Sequence, residues 1–461
     1  MSLGSKISVY DICWIVRSFG GRALIVGGAV RDFVMSGEKD ILSSSADYDI
    51  EVFGLEWDQL KRALYPYFEF DEVGEQFCVL KVKGHPIDIS IPRREGSTGD
   101  GHRDFDVIGN PHMLFVDAAR RRDFTMNAMG YDPLENELLD PLGGRLDIRS
   151  KRIHAASPQF VDDPLRPLRA ARFAARFEGF EVSFPTVLFC DSMRGAAGKL
   201  PPERVWGELK RALLESVHPS KFFHELMLMR WISPLFPEIS DLMDVPQDPG
   251  WHPEGDVRSH TFHALDYWAQ NLKTGNEDDD LIVALSVLCH DFGKVSTTEF
   301  VDGKIRARGH EEAGAEPARS FLHRMRQFEL AKQVVPIVEN HLYPLHVENF
   351  SARGIRRLST RVDRLDLLAI VSRADVAGKP PIDPADSFAK IDEFERMVKN
   401  TDVPVGGPKP LATGKMLIAL GWTPGPGFKD ILVKAYELQL DGVINTAEEA
   451  FGYLDLNYSW V

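Results

Sequence analysis

The chain has 461 residues, of which 44% are hydrophobic, and a mean hydropathy of −0.20, as is typical of a globular protein with two to four domains. Its longest apolar run, LIVALSVLC at 281–289, is too short to span a bilayer. The formal net charge of −15 argues against a protein that grips nucleic acid over its whole surface, and leaves only local basic stripes for such contacts.

The N-terminus and the cysteines indicate the cellular compartment. MSLGSKISVYDICWIV has neither a basic segment with a long apolar stretch nor a small-residue cleavage site, so we do not expect secretion. The four cysteines are scattered without a CxxC spacing, which argues against a disulfide framework and a zinc ribbon. The sequence therefore predicts a cytoplasmic protein without a membrane segment.

The pattern of apolar residues divides the chain into a part with strands and a helical part. Strand-like runs such as ALIV, YDIEVF and IDISI occur before residue 150, and helical periodicity dominates after it. Stretches rich in Pro, Gly and Asp at 245–256, 377–387 and 404–414 resemble linkers. We therefore predict an α+β protein with a mixed-sheet head at 1–150, an all-helical neck at 151–250, a His-rich helical body at 251–379 and a helical tail at 380–461.

Two adjacent glycines join a strand of the head to a helix in LIVGGAVRDFV at 24–34. The backbone at Gly27 and Gly28 can approach an anion closely, the helix N-terminus adds a partial positive charge, and Arg31 can add a full one. The turn is therefore a candidate phosphate site. An ordinary structural turn with an incidental arginine is the alternative.

Acidic and apolar side chains alternate in DYDIEVFG at 47–54. On a strand, Asp47, Asp49 and Glu51 share one face, where like charges repel unless a cation lies between them. Two such carboxylates can bind divalent cations. Asp88 in HPIDISIP is a better third ligand than Glu51, because a neighbouring strand can bring it alongside the pair. A solvated strand face is the alternative for the two aspartates.

Five motifs follow one another along the chain: GGAVRD at 27–32, DYD at 47–49, RRDFTMNAM at 121–129, DDPLR at 162–166 and PPERVWGELKRAL at 201–213. In this order the sequence resembles the bacterial (class II) CCA-adding tRNA nucleotidyltransferases and their relatives, the bacterial poly(A) polymerases. The resemblance implies a polymerase-β-like nucleotidyltransferase head. It also implies template-independent addition of C and A from CTP and ATP to the 3′ end of tRNA, with release of pyrophosphate.

The resemblance implies a magnesium centre in the head. Asp47 and Asp49 would bind two Mg²⁺ ions, and Asp88 would complete the carboxylate set. One ion would lower the pKa of the RNA 3′-hydroxyl for in-line attack on the α-phosphate, and the other would stabilise the leaving pyrophosphate.

The resemblance also implies which residues of the head hold the nucleotide. Gly27, Gly28 and Arg31 would hold the triphosphate, and Arg122 would assist. Asp123 would accept a hydrogen bond from the ribose 2′-hydroxyl and so favour ribonucleotides. For the RRD sequence, a helix start with a capping acid is the alternative.

In VDDPLRPLRAARF, the resemblance places Asp163 and Arg166 against the incoming base and Arg169 in the same nucleotide-binding set. Cytosine and adenine both present an exocyclic amine beside a ring-nitrogen acceptor, so one Asp and one Arg can satisfy either base. The alternative is a helix N-cap at Asp163. Asp162 and Pro167 depart from the family pattern, and a proline so close to the cap can shift the first helical turn.

Histidines and acids cluster in HTFHAL at 260–265, LCHDFGK at 288–294 and SRADVAGK at 372–379, which resemble an HD-type phosphohydrolase domain. The resemblance implies one metal site of His260, His290, Asp291 and Asp375. These ligands suit Ni²⁺, Mn²⁺ or another first-row ion, which would activate water against a phosphate ester such as a 2′,3′-cyclic phosphate.

Further histidines in the same region are candidates for a second metal. They are His310, in RARGHEEAG, and His341, in ENHLYP. Lone histidines are more often core or surface residues than ligands, so a structural role is the alternative for both, and for His263.

The motifs leave several functions open. They do not separate a full CCA enzyme from one that adds only CC or only A, or from a poly(A) polymerase. From a different class, an HD phosphohydrolase whose head binds RNA is the alternative, although the intact Asp47 and Asp49 favour the transferase. No pattern in the sequence gives the oligomeric state.

Two basic stripes could contact RNA or could be solvated helix faces. One consists of Arg149, Lys151, Arg152, Arg166, Arg169, Arg172 and Arg176, and the other of Arg353, Arg356, Arg357, Arg361 and Arg364.

Overall fold

The structure, a computed structural model, describes residues 8–38, 40–41, 47–71, 78–97, 105–347 and 350–458. It divides into two compact units. We call them the N-terminal unit (Met1–Ala197 and Leu228–Trp231) and the C-terminal unit (Gly198–Met227 and Ile232–Val461). Within the described residues, no helix combines the length and the apolar character that crossing a membrane requires.

A mixed sheet lies at the centre of the N-terminal unit. The strands of this unit are β1 (Arg22–Val26), β2 (Tyr48–Phe53), β3 (Phe70–Asp71), β4 (Val79–Val82), β5 (Ile87–Ser90), β6 (Arg93–Ser97), β7 (Phe105–Gly109), β8 (Gly130–Asp132), β9 (Glu137–Leu139), β10 (Arg152–Ile153) and β11 (Glu181–Val182). Seven of them form one sheet in the order β3-β4-β5-β2-β1-β8-β9. Strand β2 is antiparallel to β1 and parallel to β5. Alternate apolar residues of the central strands, Ile25, Ile50 and Ile89, are fully buried, which leaves the intervening acidic positions for the other face.

Helices pack on this sheet and continue into the neck. They are α1 (Val9–Ser18), α2 (Gly28–Ser36), α3 (Trp57–Leu64), α4 (Phe115–Arg120), α5 (Gly144–Arg149), α6 (Arg166–Arg176) and α7 (Phe184–Ser192). An aromatic cluster holds α6 in place, because the ring of Phe124 lies 5.6 Å from that of Phe160 and 5.7 Å from that of Phe173. These contacts bring the DDPLR motif of the neck next to the RRD motif of the head.

The rest of the chain is almost entirely helical. Its helices are α8 (Pro202–Glu215), α9 (Ser220–Leu228), α10 (Ile232–Leu235), α11 (Pro237–Asp241), α12 (Val257–Asn271), α13 (Glu277–Cys289), α14 (Lys294–Thr297), α15 (His310–Ala313), α16 (Ala315–Arg324), α17 (Phe328–Asn340), α18 (Ala352–Ser359), α19 (Leu365–Ala377), α20 (Ala385–Thr401), α21 (Gly414–Ala419), α22 (Gly427–Leu440) and α23 (Ala447–Tyr458). Helix α13 is buried on all sides from residue 280 to 289, and it packs against α12, α17 and α19. The mixed-sheet head and the helical remainder are both confirmed.

Two short strand pairs depart from the prediction that everything after residue 150 is helical. Strands β10 and β11 pair in parallel within the neck. In the body, β12 (Thr298–Val301) and β13 (Lys304–Ala307) form a hairpin whose turn residues Asp302 and Gly303 have φ of 53° and 76°. Asp-Gly is a typical two-residue hairpin turn, so the sequence did contain the signal for this hairpin.

The second basic stripe binds the tail of the chain. Arg353 lies 2.8 Å and Arg357 2.9 Å from Asp441, and Arg356 donates to the carbonyl oxygen of Leu440 at 2.7 Å. These contacts tie α18 to the C-terminal end of α22, where cations are favoured by the helix dipole. Arg364 pairs with Asp279 at 2.6 Å as well, so at least four of the five arginines have partners within the protein.

Candidate functional site

The glycine turn of the head lies close to one acidic and one basic side chain, those of Asp49 and Arg122. Gly27 has φ of 75° and begins α2, and a Cβ atom at this position would lie 3.2 Å from Arg122 Nη1 and 3.4 Å from Asp49 Oδ2. Such a contact is tighter than most real side chains make, and the positive φ favours glycine as well. The absence of a side chain thus lets the backbone reach these two groups.

The carboxylates predicted for the head converge on one cavity. Asp49 and Asp88 are register partners on the parallel strands β2 and β5, so they lie side by side on the same face. Both line a cavity of about 310 Å³, together with Glu51 and Arg122. Asp47 directly precedes β2 and does not line this cavity. Glu51, which the sequence analysis ranked behind Asp88, does line it.

The charges around these carboxylates are only partly balanced. Arg122 lies 3.6 Å from Glu51, and Lys81 Nζ lies 3.1 Å from Asp88 Oδ2. Desolvation raises the pKa of Asp49 above its usual range; Arg122 opposes this shift, and the nearby Asp88 adds to it. The buried Oε2 atom of Glu51 has no hydrogen-bond partner. Among the described residues of the head, no three carboxylates lie close enough to share one ion.

This donor set fits a hard divalent cation. Carboxylate oxygens are the ligands that Mg²⁺ prefers, and a cation would satisfy the orphaned oxygen of Glu51 and relieve the repulsion from Asp88 that adds to the effect of desolvation on the pKa of Asp49. Asp49 and Asp88 are the two residues best placed to hold it.

A buried polar network joins three residues predicted to bind nucleotide. Arg31 Nη1 donates to Asn127 Oδ1 at 2.9 Å, and Asn127 Nδ2 donates to Asp123 Oδ1 at 2.9 Å. Arg169 Nε donates to Asp123 Oδ2 at 2.8 Å. Burial disfavours the charged form of Asp123, but Arg169 and Asn127 outweigh it and hold the pKa of Asp123 below its usual range. Asn127 was not predicted to belong to the site, although it lies within the RRDFTMNAM motif.

The alternative role for Asp123, capping a helix, does not hold. Its Oδ1 accepts from the backbone N–H of Phe124 at 2.8 Å, but only a short 3-10 turn follows, at Thr125–Asn127. The carboxylate therefore serves the network described above.

The base-contact motif of the neck begins its helix later than the N-cap alternative requires. Helix α6 starts at Arg166, with Leu165 as its N-cap, so the prediction of an N-cap at Asp163 is wrong. Asp163 Oδ1 instead accepts from the backbone N–H of Leu165 at 3.0 Å. Pro167 is the second residue of the helix, where its missing N–H would have no helical partner in any case. The proline therefore does not interrupt the helix.

The guanidinium of Arg166 is held by two backbone carbonyls. Its Nη1 donates to the carbonyl oxygen of Gln159 and its Nη2 to that of Arg121, both at 2.7 Å. It also lies 5.8 Å from the ring centroid of Phe160. These contacts fix Arg166 beside the RRD motif.

The six residues predicted to bind metal in the body are brought together. Potential ligand atoms of His260, His290 and Asp375 lie within 4.8 Å of one another, as do those of Asp291, His310 and His341. We call these sets the first and the second His–Asp cluster. Asp291, which the sequence analysis grouped with the first cluster, lies between the two. Its Oδ2 is 3.3 Å from His290 Nε2, and its Oδ1 is 3.4 Å from His310 Nε2. His263 is exposed and belongs to neither cluster.

Backbone carbonyls orient the imidazoles of both clusters. The Nδ1 atoms of His290, His310 and His341 lie 2.7 to 2.8 Å from the carbonyl oxygens of the residues three positions before them. Such bonds place the proton on Nδ1 and leave the Nε2 lone pair for a metal. Burial lowers the pKa of His341 to about 3, so this ring is neutral, as a ligand must be.

The carboxylates of the clusters are buried, and few hydrogen-bond donors reach them. Asp375 Oδ2 has no hydrogen-bond partner, and Asp291 is held by ion pairs with His290, His310 and Lys294. Burial opposes the charge of Asp291, but His290 and Lys294, whose Nζ lies 2.8 Å from Oδ2, hold its pKa well below the usual range. Buried anionic oxygens facing imidazole lone pairs fit first-row divalent ions.

The segment predicted to be a linker at 245–256 supplies two residues that the sequence analysis missed. The buried Glu254 carboxylate lies 2.8 Å from His252 Nδ1 and 3.0 Å from His260 Nδ1. A carboxylate that holds the far nitrogen of a ligating histidine orients the ring and raises its basicity. The His-Pro-Glu sequence eight residues before His260 was the available signal.

Replacing Glu254 by glutamine is expected to weaken the affinity of the clusters for Mn²⁺ by about tenfold or more, because His260 loses its anionic partner. Chelator competition on the metal-free protein measures the affinity. Glu299→Gln, at an exposed position of β12, is the matched control. Equal affinities in the wild type and in Glu254→Gln would contradict this role.

Two family models match the chain. The Poly A polymerase head domain matches residues 23–154, and the HD domain matches residues 259–377. The first match covers the sheet with the glycine turn and the carboxylates, and the second covers both His–Asp clusters.

Curated proteins and solved structures are similar over most of the chain. The Multifunctional CCA protein of Halorhodospira halophila is 34% identical over 317 residues, or 68% of this chain and 71% of that protein. Its namesake from Alkalilimnicola ehrlichii is 33% identical over 369 residues, or 78% and 84%. The Bacillus stearothermophilus CCA-adding enzyme in complex with CTP shares the fold, with a TM-score of 0.65, 19% identity and coverage of 96% of this chain and 95% of that one. The Thermotoga maritima CCA-adding enzyme complexed with tRNA(CCA) has a TM-score of 0.56, 19% identity and coverage of 98% and 96%.

Proposed function

Because this chain belongs to the family of the multifunctional CCA proteins, we propose that it builds or repairs the CCA end of tRNA by adding C and A from CTP and ATP. The observation that carries the proposal is the side-by-side placement of Asp49 and Asp88 in one cavity, with Asp49 also lying against the Gly27 turn. An anionic ligand set beside a phosphate-binding turn is the arrangement that nucleotidyl transfer requires.

Different residues of the head bind the triphosphate and the metal. Gly27 leaves room for a triphosphate to reach the backbone at the start of α2, and Arg122 supplies positive charge beside it. Asp49 and Asp88 would hold Mg²⁺, with Asp47 at the edge of the set. Bound there, Mg²⁺ would neutralise charge on the phosphates and lower the pKa of the RNA 3′-hydroxyl. The 3′-oxygen, its proton released to solvent, forms a bond to the α-phosphorus as the bond to pyrophosphate breaks.

The network around Asp123 prepares the ribose and base positions. Arg169 and Asn127 keep Asp123 ionised, so that its carboxylate can accept from a 2′-hydroxyl. Arg166, fixed by its two carbonyl bonds, presents its remaining edge with Asp163 to the base. An Asp acceptor and an Arg donor match C and A, and leave unpaired groups against U and G. On this proposal, Asp163 and Arg166 of the neck at 151–250 select the base.

Primer extension tests the specificity. Transcripts of tRNA that end before CCA, after C and after CC are each incubated with one NTP at a time and Mg²⁺. We expect C on the first two transcripts and A only on the third. Addition of C to the first two transcripts without addition of A to the third would identify a CC-adding enzyme, extension of the third transcript alone an A-adding enzyme, and long A tracts a poly(A) polymerase. If no transcript is extended, the proposal is lost.

The His–Asp clusters support a second activity, the hydrolysis of phosphate esters by the body at 251–379. Both clusters combine buried carboxylate oxygens with oriented imidazoles, and Asp291 contacts histidines of both, which suits Ni²⁺ or Mn²⁺. On a 2′,3′-cyclic phosphate, water would add to phosphorus, one ribose P–O bond would break, and the released ribose oxygen would take the proton. Such an enzyme could trim a damaged RNA end before nucleotides are added.

A further inference from the structure

A cavity of about 220 Å³ borders the His–Asp clusters. Part of its wall is the turn at 246–252, and another part is the hairpin of β12 and β13. The lining includes Gln247, Trp251, His252, Lys294, Arg306 and His310. His310 belongs to the second cluster, and Lys294 contacts Asp291 of the same cluster, so a molecule in this cavity would reach the ligand atoms.

Trp251 gives the cavity an aromatic wall. Its side chain is 73% exposed, whereas Trp231 and Trp268 are fully buried. A single exposed aromatic residue is ordinary on a protein surface. This one lines a cavity, with the partly buried Ile305 beside it, and so offers a flat apolar face to a planar ligand.

Cationic side chains lie on the same cavity. Lys294 Nζ is 2.9 Å from Gln247 Oε1 and 2.8 Å from Asp291 Oδ2, which places a buried ammonium between the wall and the second cluster. Arg306 adds a second positive charge to the lining. Lysine and arginine bind phosphate oxygens. An aromatic face and cations next to a hydrolytic centre match the base and the phosphate of a nucleotide.

We infer that this cavity is a nucleobase subsite, in which a nucleotide phosphate ester stacks its base on Trp251 and directs its phosphate past Lys294 to the His–Asp clusters. The inference rests on the proposed phosphoesterase function of the body, because the same clusters act on the phosphate. It makes Trp251 the residue that distinguishes nucleotide esters from esters without a base.

Steady-state kinetics test the subsite on the full chain supplied with Mn²⁺. For Trp251→Ala, we expect KM for adenosine 2′,3′-cyclic phosphate to rise about tenfold with kcat unchanged, since one stacked base is lost. For glycerol 1,2-cyclic phosphate, which has no base, kcat/KM should stay the same. Trp251→Phe should recover most of the loss. Equal losses for the two esters, or an unchanged KM, would overturn the inference.

Equilibrium binding gives a readout that needs no hydrolysis. The 2′-monophosphate of 2-aminopurine riboside is titrated with metal-free protein in EDTA, and stacking quenches its fluorescence. Trp251→Ala should bind about tenfold more weakly than the wild type, and Trp14→Ala, at an exposed tryptophan of α1, should bind like the wild type. Identical titrations for all three proteins would refute the subsite. If no variant hydrolyses either ester, the proposed activity of the body fails, and this titration still decides whether Trp251 binds a base.

Discussion

Replacing Asp49 by alanine is expected to lower nucleotide addition to tRNA by about 1,000-fold or more, which corresponds to about 4 kcal/mol. Asp49 is the register partner of Asp88 and lies against the Gly27 turn, so its loss removes one of the two carboxylates proposed to hold Mg²⁺. Extension of a tRNA transcript that ends before CCA, with CTP and Mg²⁺, measures the loss.

Asp49→Asn separates loss of the ligand from loss of the fold. Since desolvation and the neighbouring carboxylates raise the pKa of Asp49, its ionised form is disfavoured in the folded state, and a neutral amide should not lower the melting temperature. Asp58→Ala, on the exposed face of α3, is the control and should extend tRNA like the wild type. A variant at position 49 that is fully folded and still adds nucleotides would remove this residue from the centre.

Replacing Asp291 is expected to strongly lower phosphate-ester hydrolysis and to leave nucleotide addition intact, the reverse of the effect of replacing Asp49. Its carboxylate reaches His290 with one oxygen and His310 with the other, so it is the residue that joins the two clusters. Asp291→Asn should lower Mn²⁺-dependent hydrolysis of adenosine 2′,3′-cyclic phosphate by about 1,000-fold. Nucleotide addition should stay within a factor of about two, because the carboxylates of the head are not altered.

The stability of the Asp291 variants also follows from the contacts. Lys294 is 8% exposed and has its ammonium 2.8 Å from Asp291, so Asp291→Ala leaves a buried cation with Gln247 as its remaining partner. We expect this variant to be destabilised by about 3 kcal/mol, which a denaturant titration measures, and the asparagine variant by less. Asp278→Asn, at an exposed position of α13, is the control. Loss of both activities in either Asp49→Asn or Asp291→Asn would contradict separate sites.

The local chemistry of the head was readable from the sequence. The Gly27-Gly28 turn, the alternation of acids and apolar residues after Asp47, and the opposite facing of Asp88 and its isoleucines all depend on neighbours one to four positions apart. Side chains alternate with a period of two residues on a strand and repeat about every 3.6 residues on a helix, so such a pattern predicts which residues share a face. For the same reason the mixed sheet and the change to helices near residue 150 were predicted correctly.

Where sequence reasoning went wrong, contacts between distant segments decided the outcome. Helix α6 starts at Arg166 rather than next to Asp163, in a segment that packs through Phe160 and Phe173 against Phe124. The Pro- and Gly-rich stretch at 245–256 reads as a linker, yet its Glu254 is buried beside His260.

The sequence by itself determined the order of the motifs, the types of ligand available and the faces on which most of them lie. The tertiary structure decided which of them meet: Glu51 joins Asp49 and Asp88 in the cavity, Asp291 lies between two sets of histidines, and arginines of α18 bind the tail. The physical reason is the separation along the chain over which each effect acts. Periodicity and turn chemistry act over a few residues, whereas a site depends on how helices and strands far apart in the chain pack against one another.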